Sequence, residues 1–245
     1  MTEIILLRHA HSTANAAQIL AGRTHETHLS ETGRKQANLL VKRLGGYEVK
    51  ALRSSPLIRC EETIAPWLRY REKFSNDQQL KMRTDNDLAE VDYGLWSGQK
   101  IKSLIKEPLW KVVQNSPSKV TFPQGESMIE MQERAMAALE RALKIRGKGS
   151  VVLVSHGDIL KSIVAGVLNM PFDDFQRIVI DPASLSVLDF SSSRPRVLLL
   201  NDSHSPLRLG NTSLRGKQPL IGGGSGAGEP SNKAKKPKQT TKEVR

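Results

Sequence analysis

Four basic side chains follow apolar stretches of the sequence, where strands would end: Arg8, His9, Arg59 and His156. An arginine presents a rigid fork of N–H donors that matches phosphate oxygens, and it binds them bidentately. Two guanidiniums beside two imidazoles would therefore form a site for a dianion. Whether the site forms depends on the elements that carry these residues.

Apolar runs indicate where the strands lie. A run without polar interruptions is typical of a strand that helices cover on both faces. We predict strands over five segments. EIILL (3–7) and SVVLVS (150–155) are continuous apolar runs, and the shorter or less regular strands are VKALRSS (49–55), SLSVLDF (184–190) and RVLLLN (196–201). The four basic residues follow three of these segments, so they would lie at the carboxyl ends of strands.

Helical spacing of apolar residues separates the strands. Ser30 can cap a helix, Pro56 would occupy the first turn of the next, and a long helix is expected over about 127–145. The buried face of the first helix would hold Ala37, Leu40, Val41 and Leu44. Strands alternating with helices predict a three-layer α/β/α sandwich with a mostly parallel sheet. Ligands bind at the carboxyl edge of such sheets, so the four residues can converge there.

The composition is consistent with one folded domain. A chain of 245 residues with 38% hydrophobic content can bury a single good core, and we assign it to residues 1–202. The single cysteine, Cys60, excludes an internal disulfide, and the sequence does not open with a secretory signal, so we expect a cytoplasmic protein. No apolar stretch approaches the roughly 18 residues of a membrane span.

Residues 203–245 differ in composition from the rest. They carry nine Lys or Arg against two Glu, so they hold +7 of the net charge of +12. The segment is rich in Gly, Pro, Ser and Lys and has little to bury, which predicts a disordered tail. We expect this tail to solubilise the protein or to bind polyanions without specificity, and nucleic acid is one such polyanion.

Six motifs resemble, in order, those of the histidine phosphatase superfamily, the phosphoglycerate-mutase-like enzymes. The motifs are LLRHAHSTAN (6–15), GRTHETHLSETGRKQA (22–37), SSPLIRCEETIA (54–65), LAEVDYGLWSG (88–98), PQGESMIEMQER (123–134) and VLVSHGDILKSIV (152–164). They span about residues 3–200, and residues 203–245 lie outside the match. The resemblance implies the phosphoglycerate-mutase-like fold and hydrolysis of phosphomonoesters.

The resemblance also implies roles for the basic residues. His9 would be the nucleophile, forming a phosphohistidine that water hydrolyses. Arg8, Arg59 and His156 would hold the phosphoryl oxygens. Glu90 would donate a proton to the leaving alkoxide, with Asp92 as a nearby alternative acid.

Further positions match the substrate side of the family's site: Asn15, Ala21, Gly22 and Gly157. Asn15 could bind phosphate or leaving group, and glycine lets the backbone approach a ligand. Glu126 and Ser127 are interpreted as a helix N-terminal arrangement. We expect neither a cofactor nor a metal, and the ligand would be a small phosphorylated substrate or inorganic phosphate. A homodimer stays an open option.

Several residues depart from the family pattern. Ala10, His11 and Ser12 replace the usual Gly, Glu and Thr after the nucleophile, so a positive φ at residue 10 would crowd the loop. His11 would change the charge near the site. Asp158 stands where a small residue is common. We favour a helix N-cap role for it, and the alternative is selection of a substrate that bears a cation.

Two other classes of function remain as alternatives. Four imidazoles, those of His9, His11, His25 and His28, could in principle bind zinc, although the neighbouring arginines would repel a cation. The second alternative is a binding protein on an inactive phosphatase scaffold, which the presence of all four core residues disfavours.

The segment after Glu90 bears on whether the enzyme is a mutase or a phosphatase. Mutases of the family resemble phosphatases but carry a long insertion there, whereas only 34 residues separate Glu90 from Gly125. This favours hydrolysis, with mutase activity as the alternative. We expect the segment 107–123 to shape the pocket through apolar contacts and anion ligands. The apolar contacts would be Trp110, Val113 and Phe122, and the anion ligands Lys106 or Lys111.

Overall fold

A computed structural model describes residues 3–74 and 80–207 of the chain. The strands of these residues are β1 Glu3–Arg8, β2 Val49–Ser54, β3 Met82–Thr84, β4 Ser150–Ser155, β5 Leu185–Asp189 and β6 Arg196–Asp202. They form one sheet in the order β3-β2-β4-β1-β5-β6. The first four strands of this order pair in parallel, and β5 runs antiparallel to β1 and β6. The expected mostly parallel sheet is confirmed.

Helices cover both faces of this sheet. The helices in the described residues are α1 Thr13–Ala17, α2 Glu31–Leu44, α3 Ile58–Phe74, α4 Ile101–Leu104, α5 Pro108–Asn115, α6 Met128–Leu143 and α7 Gly157–Val167. Side chains of a strand alternate between faces. Ile4 and Leu6 accordingly belong to the core cluster that contains α6 and α7, while Ile5 and Leu7 belong to the cluster that contains α2 and α3. The three-layer α/β/α sandwich is therefore confirmed.

Hydroxyl caps fix the starts of two helices. The Ser30 side chain accepts from Gly33 N at 3.1 Å and begins α2, as predicted. Ser127 begins α6 through a reciprocal capping box with Glu130. The predicted helix start at Pro56 is wrong, because Ser55 Oγ accepts from Leu57 N at 3.3 Å and holds a bend there. The α3 helix begins after this bend, at Ile58.

The sheet also contains a strand that the sequence patterns do not indicate. Strand β3 has only three residues and pairs with β2 alone, at the edge of the sheet. Two of its residues are exposed, so it lacks the apolar run by which a buried strand is recognised.

The first residues of the predicted tail lie against α2. Leu207 N donates to Arg43 O at 2.8 Å, and Arg43 Nε donates to Ser205 O at 3.3 Å. The prediction of disorder for the remainder of the tail, 208–245, falls outside the described residues. Among the residues that are described, none of the helices has the length and apolarity to cross a bilayer.

Candidate active site

The ends of β1 and β4 bring Arg8, His9 and His156 side by side. His9 N donates to Ser155 O at 2.9 Å, which extends the parallel pairing of the two strands beyond β1. The rings of His9 and His156 have their centroids 5.1 Å apart. Arg59 approaches from the first turn of α3, which follows β2. The topology thus brings together the four basic residues, as the sequence predicts.

His9 is held as a neutral imidazole. Its side chain is buried, and its Nδ1 donates to Ala10 O at 2.7 Å, because a carbonyl oxygen can only accept. Burial lowers the pKa of His9 well below its usual value, and the positive charges of Arg59 and Arg8 lower it further. Since Nδ1 carries the proton, Nε2 keeps its lone pair and can act as a nucleophile.

His156 lies fully buried behind His9 at the N-cap of α7. Its Nε2 is 2.7 Å from Ser55 Oγ and 3.5 Å from Cys60 Sγ. Burial raises the pKa of the Cys60 thiol to about 12, so the thiol stays protonated. Ser55 already accepts from Leu57 N, which favours donation of its hydroxyl proton to His156 Nε2. The buried Nδ1 of His156 has no partner among the described residues, so it remains as an N–H donor.

The two arginines are fixed by backbone carbonyls instead of carboxylates. Arg8 Nη1 donates to Ile180 O at 2.6 Å, and Arg59 Nη2 donates to Gly22 O at 2.7 Å. Arg59 also donates to Thr24 O at 3.3 Å. The buried Nε of each arginine has no hydrogen-bond partner in the described part of the chain. Two oriented guanidiniums that have buried donors and form no ion pair with a carboxylate of the described residues can bind a dianion such as phosphate.

Glu90 is a carboxyl group whose surroundings favour the protonated form. Burial raises the pKa of Glu90 from 4.5 to about 7, and the negative charge of Asp158 adds to this shift. One carboxyl oxygen accepts from Val91 N at 3.0 Å. A carboxyl group that is still half protonated near neutral pH can act as a general acid.

Glu126 supports the loop that carries Glu90. It accepts from Arg134 at 2.6 Å, from Arg23 at 3.1 Å and from Asp92 N at 2.8 Å. Both arginines also donate to the carbonyl oxygen of Glu90, at 3.1 Å and 3.0 Å. Glu126 directly precedes the N-cap Ser127, as the predicted helix N-terminal arrangement has it, and its contacts add a role that was not predicted. Its ion pairs join the start of α6 to the loop that carries Glu90. The pattern of apolar residues in the sequence does not reveal such long-range pairs.

Asp92 has a structural role. Its Oδ1 accepts from Gly94 N at 3.1 Å, and its Oδ2 lies 3.7 Å from Arg23 Nη1. The side chain does not contribute to the lining of the central cavity. These contacts make Asp92 a loop-capping aspartate, so Glu90 is the better placed of the two acids.

Asp158 does not cap a helix. The N-cap of α7 is His156, and Asp158 lies inside the first turn. Its carboxylate accepts from the Tyr93 hydroxyl at 2.9 Å and from Lys161 Nζ at 3.3 Å. The favoured N-cap prediction is wrong because the side chain turns into the cavity, where Asp158 and Lys161 both line the wall.

The substrate-side residues lie in the lining of this cavity: Asn15, Ala21, Gly22 and Gly157. Asn15 Oδ1 accepts from the backbone N–H and the hydroxyl of Ser12, both at 2.9 Å, which leaves the amide Nδ2 as a donor. Gly22 has φ +53°, and a Cβ there would lie 2.6 Å from Ser97 Oγ. Only glycine therefore fits this turn without strain.

Two departures from the family pattern, Ala10 and His11, lie next to His9, and the charge of His11 adds a small lowering to the pKa of His9. Ala10 is buried, does not have a positive φ, and donates its N–H to Thr63 Oγ1 at 2.8 Å. The predicted crowding therefore does not occur. His11 Nδ1 lies 2.8 Å from Ser30 Oγ, and the side chain is not part of the cavity lining.

Two of the other histidines, His11 and His28, have separate partners. His28 Nδ1 pairs with Glu62 at 2.6 Å, and His11 pairs with Ser30. In the described ranges, no three His, Cys, Asp or Glu side chains lie close enough together to bind a metal ion. The proposed four-imidazole zinc site therefore does not assemble in this fold.

The cavity at the strand ends has a volume of about 320 Å³. Arg8, His9, Arg59 and Glu90 line it, and the fully buried His156 does not. The predicted apolar contacts from the segment after Glu90 are present in the wall: Trp110, Val113 and Phe122. The predicted anion ligands Lys106 and Lys111 are exposed and lie outside this wall. The cavity combines two guanidiniums, a neutral imidazole and a carboxyl group with a raised pKa.

Known proteins share this sequence pattern and fold. A model of the Histidine phosphatase superfamily (branch 1) matches residues 4–203. The chain is 30% identical over 204 residues to Phosphoserine phosphatase 1 of Hydrogenobacter thermophilus, which covers 82% of this chain and 92% of that protein. It is also 30% identical over 195 residues to Probable phosphoglycerate mutase GpmB of Yersinia pestis, with 79% and 87% covered.

A solved structure gives the same fold. The crystal structure of the alpha-ribazole phosphatase from Shigella flexneri aligns with a TM-score of 0.73 over 84% of this chain and 99% of that one. The sequence identity is 21%, so this likeness concerns the fold alone.

Proposed function

The chain belongs to the histidine phosphatase superfamily (branch 1), and we propose that it hydrolyses phosphomonoesters of small metabolites through a phosphohistidine on His9. The observation that carries this proposal is the state of His9. Its Nδ1 proton is bound by Ala10 O, while its pKa is lowered by burial and by the adjacent Arg59 and Arg8. A neutral imidazole with a free Nε2, next to two cations, is suited to attack a phosphorus atom.

In the first step, His9 Nε2 attacks phosphorus and the bond between phosphorus and the ester oxygen breaks. Glu90 transfers its proton to the departing alkoxide, so that the leaving group is an alcohol. Arg8 and Arg59 stabilise the charge on the transferring phosphoryl oxygens. His156 does not line the cavity, but its ring lies 5.1 Å from that of His9. Its buried Nδ1–H, which has no partner in the described residues, would donate to the phosphoryl oxygens when phosphate binds.

In the second step, water attacks the phosphorus of phosphohistidine and the N–P bond breaks. The Glu90 carboxylate left by the first step accepts the proton from water, which restores the acid. Inorganic phosphate then leaves, and His9 returns to its neutral form. No step in this sequence requires a metal ion.

Rapid quench with a phosphorus-labelled substrate, followed by peptide mapping, tests the proposal. We expect transient label on His9 during turnover. Label on His156 or His11, or steady release of phosphate without any covalent intermediate, would contradict it.

The relative named as a probable phosphoglycerate mutase gives a second candidate, isomerisation of phosphoglycerate. The short segment after Glu90 supports hydrolysis, because it carries no long insertion that would exclude water. Incubation with 3-phosphoglycerate should therefore release more inorganic phosphate than 2-phosphoglycerate. The reverse ratio would establish a mutase, and a protein that releases no phosphate from phosphosugars, phosphoglycerates, nucleotides or aryl phosphates would be a binding protein.

A further inference from the structure

Part of the cavity wall is apolar and aromatic. Trp96 and Trp110 have nearly parallel rings, with centroids 6.2 Å apart and planes inclined by 23°. Phe122 meets Trp96 edge to face at 5.4 Å. Leu20 and Val113 complete this apolar wall, which we define as Leu20, Trp96, Trp110, Val113 and Phe122. Packed rings of this kind form a preformed surface for a flat apolar group.

Two further charged residues line the cavity, and they form an ion pair with each other. Asp158 forms an ion pair with Lys161 at 3.3 Å, and the Lys161 side chain is only 19% exposed. The Asp158 carboxylate also accepts from Tyr93, and Lys161 also donates to Gln176 at 3.1 Å. Because both charges are engaged, neither is free to pair with a second charged group on a substrate. A carboxylate or ammonium placed against the apolar wall would lose water without gaining a partner.

The positive charge of the cavity is sufficient for one phosphate group and no further anion. Arg8 and Arg59 supply two positive charges, which equal the charge of a phosphomonoester dianion. The cavity volume of about 320 Å³ lies at the lower end of the range for small-molecule sites, roughly 300–1,000 Å³. The site thus has room for a phosphate and one modest ring-bearing group.

On the basis of the hydrolase function proposed above, we propose that the preferred substrates are phosphomonoesters of uncharged, ring-bearing alcohols, whose ring lies on the apolar wall. This replaces selection of a cation-bearing substrate by Asp158, because that carboxylate already forms an ion pair with Lys161. Phosphoserine and phosphoglycerate carry extra charges, so the same wall disfavours them.

Matched alkyl esters test the preference. Ethyl phosphate and 2-phenylethyl phosphate both release an alkoxide, so a difference between them reports the ring. We expect kcat/KM for 2-phenylethyl phosphate to exceed that for ethyl phosphate on the order of 10-fold or more, which is the scale of apolar discrimination in a pocket. It should also exceed the values for phosphoserine and 3-phosphoglycerate. Faster hydrolysis of phosphoserine or 3-phosphoglycerate would overturn the preference and leave the hydrolase function intact, whereas no hydrolysis of any ester would reject the hydrolase function itself.

Variants of α5 assign the preference to the wall. Trp110 is half-buried in the wall, and we expect Trp110→Ala to reduce the ratio of phenylethyl to ethyl phosphate toward one. Val112 is a half-buried neighbour that packs on the core outside the lining, so Val112→Ala is the matched control and should preserve the ratio. Thermal unfolding checks that both variants fold. An unchanged ratio in folded Trp110→Ala would overturn the assignment.

Removal of the Asp158 carboxylate tests the argument from the ion pair with Lys161. Asp158→Asn leaves the Lys161 ammonium without its carboxylate, so it should raise kcat/KM for 3-phosphoglycerate relative to ethyl phosphate several-fold. A ratio of these two substrates that does not change would contradict the argument from compensated charge.

Discussion

Replacement of Glu90 by glutamine tests the acid directly. Glu90→Gln keeps the size of the side chain and the oxygen that accepts from Val91 N, but it removes the transferable proton. Turnover of an alkyl phosphate should fall roughly 10²–10⁴-fold, the usual contribution of a general acid. An aryl phosphate should lose far less, because a phenolate leaves without protonation.

The raised pKa of Glu90 sets the pH at which this contribution acts. Burial, followed by the charge of Asp158, raises that pKa from 4.5 to about 7. At pH 7, a carboxyl with a pKa of 4.5 would be protonated in about one molecule in 300, against about half of the molecules for a pKa of 7. The surroundings of Glu90 therefore raise the population of the acid on the order of 100-fold, which corresponds to ~3 kcal/mol. Alkyl phosphate turnover should decline as the pH rises above about 7, since the acid then loses its proton.

Stopped-flow phosphate release across neutral pH measures both effects. The alkaline decline should be present in the wild type and absent from Glu90→Gln with an alkyl phosphate. Asp92→Asn is the matched control, because Asp92 holds Gly94 N and does not line the cavity. Full alkyl turnover in Glu90→Gln, or loss of the alkaline decline in Asp92→Asn instead, would refute the assignment of the acid.

Three other outcomes follow from the structure. His9→Ala should abolish turnover and covalent label. His156→Ala should still bind substrate but lose ~2.7–4 kcal/mol of transition-state stabilisation, by analogy with loss of one oxyanion donor. Measurements of substrate binding and of single-turnover kinetics distinguish the two variants, and wild-type turnover in His9→Ala would contradict the mechanism. Removal of 208–245 should preserve Tm and kcat. Removal of 203–245 should lower Tm, because it deletes the contacts of 203–207 with Arg43. Equal Tm values for the two truncated proteins would refute this difference. Turnover should survive EDTA, and loss of activity that zinc restores would indicate a metal enzyme.

Local sequence patterns are sufficient to predict that four basic residues lie close together, namely Arg8, His9, Arg59 and His156. Apolar runs identify buried strands, and parallel pairing places their carboxyl ends together. The direction of β5 does not follow from such patterns, since an apolar run reads the same in parallel and antiparallel strands. The three-residue β3 has no run to recognise.

The sequence predicts less about the groups around the four basic residues. Asp158 resembles an N-cap in sequence, but its role depends on Tyr93, which lies on a distant loop. Glu126 acts through Arg23 and Arg134, which belong to separate elements. Lys106 precedes the segment 107–123 and Lys111 belongs to it, yet only the three-dimensional course of the chain shows that both lie outside the cavity lining. These contacts come from tertiary packing, which local patterns do not encode.

The buried thiol beside His156 provides a way to measure local opening of the protein. Cys60 is the only cysteine of the chain, is fully buried, and has a pKa raised to about 12 by burial. Thiol reagents need an accessible thiolate, so the rate of labelling measures how often the region beneath the two histidines opens. A phosphate ion bound at the arginines would favour the closed state and slow labelling by the factor 1 + [L]/Kd. Occupancy of the catalytic site could thus be titrated by thiol chemistry alone, without a chromogenic substrate.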